Sequence, residues 1–111
     1  MEIEEQRKGA VTVLKPKGPL SQEDVDQFHQ RVITVMGDTL GRFVVDASAI
    51  PFVDSCGLEV LHDIGEELSQ SGNALRLCGV NETVREVLEL TELSALFEHY
   101  VDANAAVRSF L

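Results

Sequence analysis

Apolar and polar positions along the chain change period several times, and each change marks an element. Residues 3–7 are mixed and charged and read as a short edge strand. Ala10-Val11-Thr12-Val13-Leu14 is a β-branched run expected to stop at Pro16, which has no N–H to donate, and Gly18-Pro19 turns the chain. Ser21-Gln22-Glu23-Asp24 fits a helix start, a capping oxygen followed three residues later by an acid. Val25, Phe28, Val32, Val35 and Met36 continue at helical spacing, with Gly37 and Gly41 bracketing the exit. Phe43-Val44-Val45 is the compact run of a strand covered on both faces. A second helix is predicted to begin near Gly57, with Leu58, Leu61, Ile64 and Leu68 on one face and Glu59, His62, Asp63, Glu66 and Glu67 elsewhere. Ser71-Gly72-Asn73 ends it. Ala74–Cys78 is a further strand, closed by Gly79. Asn81 caps a third helix carrying Val84, Val87 and Leu88. Leu96–Tyr100 is a final strand, and Asp102 caps a last helix through Ala106, Val107 and Phe110. Phe52 and Phe97 are assigned to the core, Phe52 with a second role in view because it flanks the loop before the second helix.

The order β-β-α-β-α-β-α-β-α predicts an α/β fold: a small mixed sheet of about five strands with about four helices largely on one face. After the opening hairpin the strands should be parallel, with right-handed crossovers. The 111 residues suffice for one domain, 1–111, with one core.

Charge narrows the partners. The formal net charge is −10, and a surface this acidic repels phosphate backbones and anionic headgroups, which argues against direct nucleic-acid binding. Residues 1–20 carry four basic and three acidic side chains, while the remaining 91 carry five basic and sixteen acidic. The acidic part is either a solvated face or a docking surface for a basic partner. No apolar run reaches the length of about 18 residues that a membrane span needs. Met1–Glu5 lacks the basic and apolar regions of a signal peptide, and the two cysteines are then expected as reduced thiols in a cytoplasmic protein.

Few residues outside one loop carry chemistry. His29, His62 and His99 are scattered, and His62-Asp63 has no further ligand at metal spacing, so no metal or cofactor is expected. Gly79-Val80-Asn81 is too short for a phosphate loop, and no Cys-His pair or Ser-His-Asp order supports catalysis. Glu82, Glu86 and Glu89 form a solvated stripe.

The informative stretch is Ile50-Pro51-Phe52-Val53-Asp54-Ser55-Cys56-Gly57-Leu58-Glu59-Val60-Leu61, which leads from the buried strand into the second helix. A helix start presents unpaired N–H groups and the positive end of the helix dipole, so an anion or phosphorylated side chain there would be stabilised. Equally, Asp54 or Ser55 can simply cap the helix.

This stretch resembles the signature of the STAS domain, the fold of bacterial anti-sigma factor antagonists, which reads roughly Asp-Ser-Ser-Gly-Leu after an apolar run and before an apolar pair. The resemblance extends over essentially the whole chain. Val13–Leu20, with Gly18-Pro19-Leu20, is similar to the family's second strand and its Gly-x-Leu lead into the first helix. Val44-Val45-Asp46 is similar to its central strand. Leu68–Gly79 and Val84–Leu96 are similar to its later elements, with Thr91-Glu92-Leu93 at the family's Thr/Ser-Gly-Leu turn.

The resemblance implies a non-enzymatic partner switch. Such proteins bind an anti-sigma factor that is also a serine kinase, a sigma factor is freed, and phosphorylation of the second Ser of the signature ends the binding. A phosphate there adds about −1.5 to −2 charges at the contact surface. Here that position is Cys56, a thiol that serine kinases do not phosphorylate, and only Ser55 of the pair remains as a poor substitute site. Cys56-Gly57-Leu58-Glu59 would be a capping box if residue 56 were Ser.

The expected partner-binding residues are Asp54, Ser55, Cys56, Gly57, Leu58, Glu59, His62 and Asp63, and the expected partner is an anti-sigma factor or kinase-like ATPase engaged by a monomer or weak dimer. Two other uses of the fold remain open: a STAS subunit of a lipid-transport or larger signalling complex, and a thiol-based sensor at Cys56. For the sensor, the helix start favours a thiolate while Asp54 and Glu59 oppose it. A Cys56–Cys78 disulfide is sterically conceivable.

Overall fold

The five extended segments pair in the order in which they occur along the chain, in a computed structural model that describes residues 1–111. Strand β1 (Glu2–Lys8) runs antiparallel to β2 (Val11–Lys17), and β3 (Phe43–Asp46), β4 (Leu75–Cys78) and β5 (Phe97–Tyr100) add in parallel. The helices are α1 (Val25–Thr39), α2 (Ser55–Gln70), α3 (Glu82–Leu90) and α4 (Ala103–Arg108), and a 3-10 turn (Leu93–Leu96) leads into β5. This is the expected mixed sheet, parallel after its opening hairpin.

The side-chain alternation of the strands decides how the helices divide. Phe43, Val45, Leu75 and Leu77 point to one face and join Phe28, Val32, Ile64, Leu68 and Leu88 in the main core, beneath α1, α2 and α3. Val44 and Cys78 point the other way, where Val11 and Ala106 complete a smaller cluster under α4. Three helices therefore cover one face and a single short helix the other. Arg76 holds the end of the chain down on that second face. Its Nε donates to Ser109 Oγ at 2.8 Å, and its guanidinium lies 3.7 Å from the centre of the Phe110 ring.

Several boundaries differ from those read in the sequence. β2 continues through Pro16 to Lys17, because only Thr12–Leu14 pair with β3 and the missing N–H falls beyond that ladder. α1 begins at Val25, not at the Ser21 signal. Ser21 contributes its carbonyl, which accepts from Asp24 and Val25 N–H at 2.8 and 3.0 Å in a preceding turn. Gly37 lies inside α1, and the exit is made by Leu40 and Gly41, both at positive φ. Leu96 belongs to the 3-10 turn, and Phe110 lies beyond α4. Glu92, at φ +62°, holds a left-handed conformation at the turn where the resembled family carries Gly. Phe97 is core, but Phe52 is 48% exposed and is not.

Candidate functional site

The signature loop lies at the carboxyl ends of the parallel strands, held on two sides by other loops. On one side it runs beside residues 18–20: Gly18 N–H donates to Ala49 O at 3.1 Å, Leu20 N–H to Phe52 O at 3.1 Å and Asp54 N–H to Leu20 O at 3.2 Å. On the other side Asn81 caps α3 through Oδ1, 2.8 Å from Val84 N, while its Nδ2 donates to the carbonyls of Ile50 and Pro51 at 3.1 and 3.2 Å. These backbone attachments explain why Phe52 faces solvent despite its apolar ring. The chain on either side of it is fixed, so its side chain follows the direction the loop dictates.

Asp54 joins the two helices that flank the loop. Its Oδ1 accepts from Gly57 N–H at 2.9 Å and caps α2, while its Oδ2 accepts from Gln22 N–H at 2.9 Å in the turn before α1. The Gly57 and Gln22 N–H groups, with a smaller contribution from that of Cys56, hold the Asp54 carboxyl below its ordinary value of 3.8 by stabilising its charged form. α2 thus begins at Ser55, two residues before the expected start, and the capping oxygen belongs to Asp54. The capping-box reading of residues 56–59 is overturned, because Cys56 already stands inside the helix. Asn81 and Asp102 cap α3 and α4 as expected.

Gly57 explains the glycine of the signature. A Cβ there would collide with the Leu20 carbonyl and lie 2.6 Å from Val53 Cγ1, so the start of α2 packs directly on the backbone of the Leu20 loop. Gly57 is buried and Leu58 partly buried against the main core, so neither presents a free side chain. Of the eight residues named from sequence, Ser55, Glu59, His62 and Asp63 are exposed and Cys56 is half-buried. His62 Nδ1 lies 3.4 Å from Asp63 Oδ1 and its Nε2 3.6 Å from Glu66 Oε1.

Cys56, Glu59, Val60 and Asp63 of α2 form one wall of a shallow groove of about 220 Å³, and Val25, Asp26 and His29 of α1 form the other. The α1 residues were not foreseen as part of the site. Val25 and His29 are one helical turn apart, a spacing that in sequence is indistinguishable from a core stripe.

The two cysteines are separated. Cys78 is fully buried beneath α4 on the opposite face of the sheet, so the conceivable Cys56–Cys78 disulfide is excluded and both thiols are free. Burial, reinforced by the negative charges of Asp46 and Asp102, pushes the Cys78 thiol up to about 12. His99 is taken up by Ser94, its Nε2 lying 2.9 Å from the Ser94 carbonyl. No group of three or more His, Cys, Asp or Glu side chains is placed to hold a metal ion, and no helix is long and apolar enough to cross a membrane.

The profile of the STAS domain matches residues 2–106. The chain belongs to the STAS domain family. Among its relatives is the Bordetella bronchiseptica protein BtrV, named as a candidate anti-sigma factor antagonist. It is 24% identical over 94 residues, covering 85% of this chain and 81% of that protein. A Thermotoga maritima protein, also described as a candidate anti-sigma factor antagonist, has a crystal structure that superposes with a TM-score of 0.87 at 25% identity, covering 96% of this chain and 92% of the other. The Bacillus anti-sigma factor antagonist SpoIIAA shares the fold at 18% identity. Its unphosphorylated form superposes with a TM-score of 0.76 over 98% of this chain and 96% of SpoIIAA, and its phosphorylated form with 0.70 over 97% and 99%.

Proposed function

We propose that this STAS domain is an anti-sigma factor antagonist, a regulatory module that binds a kinase-like anti-sigma factor, frees a sigma factor, and carries out no chemistry of its own. The observation that carries the reading is the signature loop. Asp54 fixes its geometry from within, Gly57 seats it on the Leu20 loop, and Ser55 and the half-buried Cys56 are left facing outward beside the exposed Glu59, His62 and Asp63. Relatives named as antagonists of anti-sigma factors support the same reading.

The regulatory position is altered. A serine kinase transfers phosphate to a hydroxyl held in line with its nucleotide. Cys56 offers a thiol at the position the family phosphorylates, and Ser55 sits one residue earlier on the helix, about 100° around its axis. Binding is therefore expected to persist in the presence of ATP. The module works as a cytoplasmic monomer or weak dimer that no phosphate switches off.

The test uses a kinase-like anti-sigma factor from the same organism, with ATP, and follows complex formation and intact mass. Wild type should bind, displace the sigma factor and gain no phosphate, while Cys56→Ser should gain one and lose affinity. Absence of binding by wild type overturns the antagonist reading. A phosphate on wild-type Ser55 overturns the altered regulation.

A further inference from the structure

The groove between α1 and α2 carries a charge pattern that specifies its occupant. Its lining includes the carboxylates of Asp26, Glu59 and Asp63 and no Lys or Arg. α2 has no basic residue other than His62, and the only Arg of α1, Arg31, is turned away to Glu5, with its Nη1 3.2 Å from Glu5 Oε1. Asp26 and Glu59 make no ion pair or side-chain hydrogen bond within the chain, and Asp63 meets only His62. Between the carboxylates are apolar surfaces, partly buried Val25 and nearly buried Val60. An apolar floor with an anionic rim matches a long aliphatic stem ending in a cation, the shape of an Arg or Lys side chain.

We propose that this groove receives an Arg or Lys side chain presented by the anti-sigma factor, its stem on Val25 and Val60 and its cationic head among Asp26, Glu59 and Asp63. The inference rests on the antagonist reading and names the chemistry of the partner at that same surface. Cys56 lines the groove, so the docked side chain would pass beside the position where the family carries its phosphorylated Ser. Three exposed acids together are worth about a tenfold change in affinity or more, with strong salt dependence.

Two measurements test it. The first needs no partner, because Cys56 is a reporter inside the groove. Native protein is treated with a cationic and an anionic methanethiosulfonate of similar size, and the rates of modification at Cys56 are compared. The cationic preference should exceed that of a free thiol several-fold, collapse in Asp26→Asn/Glu59→Gln/Asp63→Asn, and shrink in high salt. The second is the affinity for the kinase-like anti-sigma factor. The triple variant should bind at least about tenfold more weakly than wild type, while Glu86→Gln/Glu89→Gln on α3 should bind like wild type. Circular dichroism confirms that the variants are folded. The proposal is overturned if Cys56 shows no excess preference for the cationic reagent, or if wild type and triple variant bind equally. If wild type does not bind the anti-sigma factor at all, the antagonist reading falls and the proposal with it. The reagent ratio still reports the groove's own potential, which separates that failure from a failure of the groove.

Discussion

Two glycines in helices should respond to the same substitution with opposite signs. Gly57→Ala adds one carbon where the start of α2 meets the Leu20 carbonyl, and that carbonyl also accepts the Asp54 N–H at 3.2 Å. The colliding atom is backbone, so it cannot rotate aside. Either α2 lifts from the loop or the Leu20–Asp54 bond is lost. Overpacking costs about 1–3 kcal/mol, and a site closed by backbone belongs at the upper end. Replacing Gly in a helix returns at most about 1 kcal/mol. Gly57→Ala should therefore be destabilised by about 2 kcal/mol net. Gly37 is the counterpart: it lies inside α1, its φ is not positive, and a Cβ there would meet nothing within 4 Å. Gly37→Ala should be stabilised by about 0.5–1 kcal/mol. The gap between the variants is close to 3 kcal/mol, or about 12 °C in Tm for a domain of this size. Gly65→Ala should fall between them, because the atoms nearest its added carbon are side chain and not backbone: Leu96 Cδ2 at 2.7 Å and Cγ at 2.8 Å, and Phe97 Cε1 at 3.1 Å. Urea titration and thermal unfolding followed by circular dichroism measure all three. If Gly57→Ala is as stable as Gly37→Ala, α2 does not start against the Leu20 backbone, and the account of the signature glycine is wrong.

The remaining predictions concern the carboxylate and the thiols. Because the Asp54 carboxyl titrates lower in the folded protein than its ordinary value of 3.8, its contribution to stability is present above that pH and is lost as pH falls through the folded value. Asp54→Asn keeps one acceptor for Gly57 N–H and loses the one that Gln22 uses. It should be less stable than wild type near neutral pH, with the gap in urea midpoint narrowing under acid; a gap constant with pH would refute the linkage. In the native protein an aromatic disulfide reagent should modify Cys56 alone, and Cys78 should react only on unfolding, because it is buried with its thiol pushed up to about 12. Two thiols reacting at equal rates would refute its placement under α4. Cys56→Ser should unfold within about 0.5 kcal/mol of wild type, as substitutions away from caps and cores do; a larger change in urea midpoint would mean that residue 56 supports the fold after all.

How much of this was legible in the sequence depended on how local the cause was. Asn81 and Asp102 cap their helices through bonds three residues ahead, and a local pattern reads them correctly. The start of α2 is ambiguous in sequence because Asp54, Ser55 and Cys56-Gly57 offer competing local signals. The choice is made by Gln22, 32 residues earlier, whose N–H occupies the second Asp54 oxygen. Pro16 pairs with Ile3 of β1 and lies past the last β2 residue paired with β3, and no local feature of the sequence tells where the β3 ladder ends. The ring of Phe52 points to the core in sequence, whereas its orientation is set by Leu20 and Asn81, remote in sequence. The site divided in the same way: its α2 half followed from the signature, while Val25, Asp26 and His29 join it only through the packing of α1 against α2.

The division of labour within the loop is the physical ground for the small effect expected of Cys56→Ser. Asp54 caps α2 and ties it to the turn before α1, Gly57 allows the close approach to Leu20, and Leu58 enters the core, so three of the five signature residues are occupied by folding. Ser55 and Cys56 make no side-chain hydrogen bond within the chain, and every backbone feature that fixes the loop would survive a change at either. The fold therefore supplies a rigid platform and leaves the chemistry of residue 56 unconstrained. On the proposed reading, a hydroxyl there makes the platform answerable to a kinase, and a thiol keeps the shape and removes that control. On this reading the acidic groove and the loop determine which partner is held, and the single atom at residue 56, oxygen or sulfur, determines whether the partner's ATP can end the contact.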